Sequence, residues 1–130
     1  MIQRNTLSVL DGVQLDHLSA ELRGDIEGVA QFIDELKRGE LTEDEFKPKR
    51  LRFGVYGQRQ PGVQMIRIKL PYGGVRPEHL RAIADAADVH STGIAHATTR
   101  QDFQLHFVKF EEVIPLLVKL AESGLTSREA

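Results

Sequence analysis

The chain has 130 residues, enough for one globular unit with a real core and too few for a typical two-domain enzyme. Hydrophobic residues at 41% and charged residues at 28% exclude wholesale disorder, collagen and low-complexity tracts, and no apolar run approaches the ~18 residues of a membrane span. The net charge of -2 conceals an asymmetry: residues 1–46 sum to -7, residues 47–81 to +8 and residues 82–130 to -3. The absence of cysteine excludes disulfides, thiolate nucleophiles, thiolate zinc sites and cysteine-ligated iron–sulfur clusters within these residues, and no metal site is assigned. The start, Met1-Ile2-Gln3-Arg4-Asn5, lacks the apolar stretch of a signal peptide, so a cytoplasmic location is expected.

The first element reads as helical, with apolar residues at Leu15, Leu18, Leu22, Ile26, Val29, Ile33 and Leu36 spaced by threes and fours. Gly24 before Asp25 predicts a break there, and Gly39 closes the second piece. Thr42 to Glu45 has the capping-box pattern for another helical turn before Pro48. From Leu51 the period becomes two, with Leu51, Phe53 and Val55 opposite Arg52, Gly54 and Tyr56, which predicts a strand. Residues 57–62 carry turn chemistry, and Val63 to Leu70 forms the return strand of a β-hairpin. In that strand Gln64, Ile66, Ile68 and Leu70 share one face, and Val63, Met65, Arg67 and Lys69 the other.

Pro77 opens a helix to about Asp88, expected to bury Leu80, Ile83, Ala84 and Ala87. A short strand near Gly93 to Ala97 follows, then a strand from Phe103 to Val108 with Phe103, Leu105 and Phe107 opposite Gln104, His106 and Val108. The last helix, about Glu112 to Glu122, buries Val113, Leu116, Leu117 and Leu120, keeps Pro115 in its first turn and stops at Gly124. The order is a β-hairpin running into β-α-β-β-α, an α+β ferredoxin-like unit short of its last strand. We divide the chain into a helical arm, residues 1–46, and the ferredoxin-like unit, residues 47–130.

With both helices on the Ile66/Ile68/Leu70 face, the opposite face displays Arg67, Lys69, Gln104 and His106, with Arg52 from the hairpin partner, and no carboxylate. Such a face makes charge-assisted hydrogen bonds to carboxylates or oxyanions. The basic middle segment fits an anionic ligand or pairing with the acidic arm. His90, His96 and His106 match no familiar ligand spacing, and neither Gly54-Val55-Tyr56-Gly57 nor Tyr72-Gly73-Gly74 is a phosphate-binding loop.

Three segments carry a family resemblance: Phe53-Gly54-Val55-Tyr56-Gly57-Gln58-Arg59-Gln60, then Met65-Ile66-Arg67-Ile68-Lys69-Leu70-Pro71-Tyr72-Gly73-Gly74, then Thr98-Thr99-Arg100-Gln101-Asp102-Phe103-Gln104-Leu105-His106. In this order and spacing the chain resembles, over about residues 44 to 130, the N-terminal ferredoxin-like half domain of nitrite and sulfite reductases that contain sirohaem and a 4Fe-4S cluster. The resemblance implies an oxidoreductase that reduces nitrite to ammonia or sulfite to sulfide by six electrons, with ferredoxin or a flavoprotein as donor. It implies that Arg67 lies over sirohaem and contacts the substrate anion. Thr98, Thr99, Arg100, Gln104 and His106 would then surround sirohaem and hydrogen-bond its carboxylates, with cofactor roles for Arg52 and Lys69 on the same side.

The cysteine-bearing stretches of the family are absent from these residues, so the resemblance implies a segment truncated from a longer reductase, inactive and without bound cofactor by itself. Residues 1 to 43 match the family only as a variable helical lead-in. The alternatives are a standalone anion- or RNA-binding ferredoxin-like module and a cobalamin-pathway homologue of the same superfamily. Nucleic acid is disfavoured because the predicted open face has no paired aromatics. Without a second half domain, two copies related by a twofold would cover the exposed edge and apolar patch, giving a homodimer; the helical arm folded back over the patch is the alternative within one chain.

Overall fold

The computed structural model describes residues 8–57, 62–70, 76–97 and 102–127. Helix α1 spans Ala20–Lys37, α2 Glu43–Leu51, α3 Pro77–His90 and α4 Val113–Ala121; strands β1 to β4 are Val55–Gly57, Val63–Ile68, Ala95–Ala97 and Phe103–Lys109. All four strands join one antiparallel sheet in the order β1-β2-β4-β3. Val55, Ile66, Leu105 and Ala95 stand in register across it and turn toward the helices. The α+β, ferredoxin-like expectation therefore holds, and β1 borders β2 on the side away from β4. Beyond β2, Lys69 pairs with Thr126 after α4, so the chain returns along the same edge.

The acidic arm folds differently from its expected two-piece form. Ser19 caps α1 by accepting from the Leu22 N–H, so Leu15 and Leu18 precede the helix while still entering the core. The helix runs through Gly24 without a break. A helical glycine costs about 1 kcal/mol, which burial of Ile26, Val29, Ala30 and Ile33 on the same element offsets several times over. Those residues share one apolar cluster with Leu116, Leu117 and Leu120 of α4, which places the arm's stripe against its own chain. Among the described residues no helix is long and apolar enough to cross a membrane.

Helix α2 outruns Pro48, where the sequence suggested an end, and absorbs Leu51, where it suggested a strand. The Thr42/Glu45 capping box secures its first turn, and Phe46 is buried. The Arg50 guanidinium lies 5.8 Å from the Phe46 ring and 3.4 Å from Gln64 Oε1, tying the last turn to the sheet despite the hydrogen bond that Pro48 removes. The strand is consequently cut to three residues. Gly54 makes the junction at φ +72°, and a Cβ there would collide with the carbonyls of Ser127 and Arg67, so glycine serves both conformation and space.

Two further expectations change. Helix α3 buries Ala82, Ile83, Ala86 and Ala87, whereas Leu80 is 48% exposed and Ala84 is also exposed, so the buried stripe is rotated from the expected one. In β4 the alternation breaks at a β-bulge: Gln64 opposes Val108, but two residues on, Ile66 opposes Leu105. Phe107, at φ +58°, takes up the extra residue, so Val108 is buried and Phe107 faces outward, the reverse of the predicted pairing. The Ser91 hydroxyl donates to the His106 carbonyl at 2.6 Å, partnering a backbone group next to the bulge.

Candidate functional site

Strand register builds the open face. Arg67 of β2 stands beside Gln104 of β4, which stands beside His96 of β3, one row of three polar side chains across neighbouring strands. His106 lies on the same face, its ring centroid 5.9 Å from that of His96. The structure thus brings together Arg67, Gln104 and His106 as the alternation predicted. Lys69 lies just past β2, exposed, with its backbone N–H donating to Thr126 O at 2.8 Å.

Arg52 does not join them. It is the exposed C-cap of α2, because the helix occupies residues expected to be strand and period-two alternation does not apply there. Thr98, Thr99 and Arg100 lie outside the described residues.

Arg67 is the best-defined member of the row. Its side chain is 19% exposed, and its guanidinium carbon lies 4.8 Å from the centroid of the Tyr56 ring, within cation–π range. Nη1 donates to the Tyr56 hydroxyl at 3.5 Å. Nε is buried without a hydrogen-bond acceptor, the nearest carboxylate oxygen being Asp102 Oδ2 at 3.8 Å. The face therefore contains a carboxylate that the alternation argument excluded. Asp102 precedes the first residue of β4, so no strand pattern included it, yet its two-residue offset from Gln104 puts both on one side.

Tyr56 and His96 were also passed over. Tyr56 shares the face that the period-two reading gave Arg52, but its contact with Arg67 has no signal along the sequence; His96 sits in a strand of three residues, too short to display a pattern of its own, and pairing with β4 reveals its face. Tyr56 and the outturned Phe107 put aromatic rings on the open face, contrary to expectation, although the Tyr56 ring is covered by Arg67. Beside the row, Thr92, Ile94, His96, His106 and Phe107 line a shallow depression of about 330 Å³. His90 is separate, its Nδ1 2.6 Å from Glu112 Oε1. Among the described residues no three His, Asp or Glu side chains converge as metal ligands.

This sheet, with helices on one face and a cationic, amide- and imidazole-bearing row on the other, defines a ferredoxin-like α+β module. Residues 56–123 match the nitrite/sulfite reductase ferredoxin-like half domain, and the chain belongs to that family. Among curated relatives, the chloroplastic ferredoxin–nitrite reductase of Zea mays is 30% identical over 84% of this chain and 20% of its own length. The assimilatory ferredoxin-dependent nitrite reductase of Haloferax mediterranei is 33% identical over 69% of this chain and 18% of its own. The sulfite reductase [NADPH] hemoprotein beta-component of Nitrosomonas europaea is 38% identical over 48% of this chain and 11% of its own. The solved structure of Mycobacterium tuberculosis NirA superposes with a TM-score of 0.68 at 19% identity, covering 85% of this chain and 24% of that one, which shows a shared fold. The chain spans about a fifth of the length of the first two relatives.

Proposed function

We propose that this chain is the part of a nitrite or sulfite reductase that presents Arg67 to the substrate anion and holds sirohaem carboxylates through its neighbours. The observation that carries this reading is the Arg67, Gln104 and His96 row on the open face of a half domain of that family. The donor set suits the group: Arg67 keeps a buried Nε without an acceptor, and Gln104 and His106 add an amide and an imidazole on the same side. Gln104 and His106, with Thr98, Thr99 and Arg100, would hold its carboxylates, and Lys69 adds positive charge at the edge. When bound, sirohaem supplies the electrons for reduction, received through a 4Fe-4S cluster from a ferredoxin or flavoprotein donor.

The chain's own contribution is binding and orientation. A guanidinium stacked on Tyr56 points its remaining N–H groups in a fixed direction, so anion capture loses little side-chain freedom. As negative charge shifts on the oxyanion during reduction, those N–H groups stabilise it without first reorganising. Ferredoxin-dependent nitrite reductases and a sulfite reductase among the relatives support a small nitrogen or sulfur oxyanion as the substrate class.

The test is reduction of nitrite and of sulfite by the enzyme produced from the intact gene, with a chemical one-electron donor. Arg67→Ala should lower turnover or anion affinity on the order of a hundredfold while the protein stays folded, the usual worth of an oxyanion donor. Parent kinetics in that variant would overturn the assignment.

A further inference from the structure

We propose that Asp102 is an internal counter-ion that sets how strongly Arg67 holds its anion, a positioning and specificity role resting on the reading of Arg67 given above. Tyr56 lies 4.8 Å from the Arg67 guanidinium carbon, Asp102 Oδ2 lies 3.8 Å from Nε, and the Asp102 side chain is only 12% exposed. At 3.8 Å the pair is ionic without a hydrogen bond between them, and nothing like the two-pronged clasp that arginine makes with a dedicated carboxylate partner. Asp102 therefore takes up none of the N–H groups of Arg67, one of which goes to the Tyr56 hydroxyl, while it cancels much of the positive charge.

An anion arriving at Arg67 meets the attraction of the guanidinium and the repulsion of a carboxylate that has little access to water. Both act at a few ångströms in partly buried surroundings, where screening by salt is weak. The consequence is a site that recognises an anion by directed N–H groups and releases it readily. Geometry supplies recognition, and the counter-ion limits affinity.

The experiment follows the Arg67 Nε–H signal by nuclear magnetic resonance while the 130-residue chain is titrated with sulfite and, separately, nitrite. Asp102→Asn keeps the shape and removes the charge; it should tighten binding of each anion on the order of a hundredfold, as expected when a like charge about 6 Å away is removed at an effective dielectric near 20. Asp102→Glu restores the charge and should return affinity toward the parent value, which a purely packing role would not produce. Amide spectra of each variant confirm the fold, and Arg67→Gln identifies the signal.

Unchanged or weaker binding in a folded Asp102→Asn variant, with the parent signal still responding, overturns the counter-ion role and leaves Arg67 as the anion contact. An Arg67 signal indifferent to both anions in parent and variant overturns the two together.

Discussion

At the scale of single residues, the charged groups of this protein divide into those that hold the chain and those that face outward from the sheet. Glu45 belongs to the first kind. The Thr42 backbone N–H donates to its carboxylate at 2.8 Å, and that bond, then the Thr42 hydroxyl and the charge of Lys49, hold it below the usual carboxylate range. A depressed carboxylate stabilises the fold above its unfolded value and loses that contribution as pH falls through the folded one. The difference in melting temperature between parent and Glu45→Gln should therefore shrink as pH is lowered from 7 toward 3. The variant should keep some acid sensitivity, because Glu40 is likewise held low, first by its hydrogen bond to Arg38. A gap that is constant or widens on acidification would remove Glu45 from this account. Thr42→Ala, which deletes the cap itself, should cost about 1 kcal/mol at neutral pH by denaturant titration.

At the scale of elements, the bulge in β4 decides which side chains the open face displays. Phe107 is the described non-glycine residue with positive φ, at 58°, a conformation that costs an ordinary side chain about 1 kcal/mol or more and a β-branched one further still. The usual strand preference should consequently invert at this position. Phe107→Val should melt below Phe107→Gly, and a differential scan of the two variants checks it; the opposite order would mean that the bulge relaxes readily. Strand alternation made Arg67, Gln104 and His106 legible together because Arg67 and Gln104 lie in regular stretches of β2 and β4 and His106 comes just before Phe107, where the bulge breaks the alternation. It misplaced Phe107 and Val108 because a bulge depends on what the partner strand offers, and it missed Asp102 because that residue precedes the strand.

At the scale of the whole molecule, α1 is bound into the same buried cluster as α4, and the two ends meet again where His17 Nε2 lies 3.0 Å from Glu122 Oε2. A second anchor lies at the start of the described chain, where the buried Asp34 carboxylate accepts from the Ser8 hydroxyl at 2.5 Å and from the Val9 N–H at 2.9 Å. The arm and the sheet unit should therefore unfold as one. Ile33→Ala, in a residue 2% exposed, should cost about 2–5 kcal/mol, a large share of the stability of a small domain. Circular dichroism and tyrosine fluorescence should still report a single coincident transition, both moved to lower denaturant. An early helical phase lost by itself, with the fluorescence midpoint unmoved, would instead make the arm an independent unit.

The order of strands and helices, the cysteine-free composition, the basic middle and the joint presentation of Arg67, Gln104 and His106 were all determined by the sequence, because each follows from local periodicity or from counting. Tertiary structure decided the rest. The continuation of α2 through Pro48 depends on burial of Phe46 and on Arg50 reaching Gln64 in the sheet, and it moved Arg52 off the face. The persistence of α1 across Gly24 depends on burial against α4. The pairing of Asp102 with Arg67, and the reversal of Phe107, depend on the register between β2 and β4. Register is a relation between segments more than thirty residues apart, so propensities read along one segment contain no term for it.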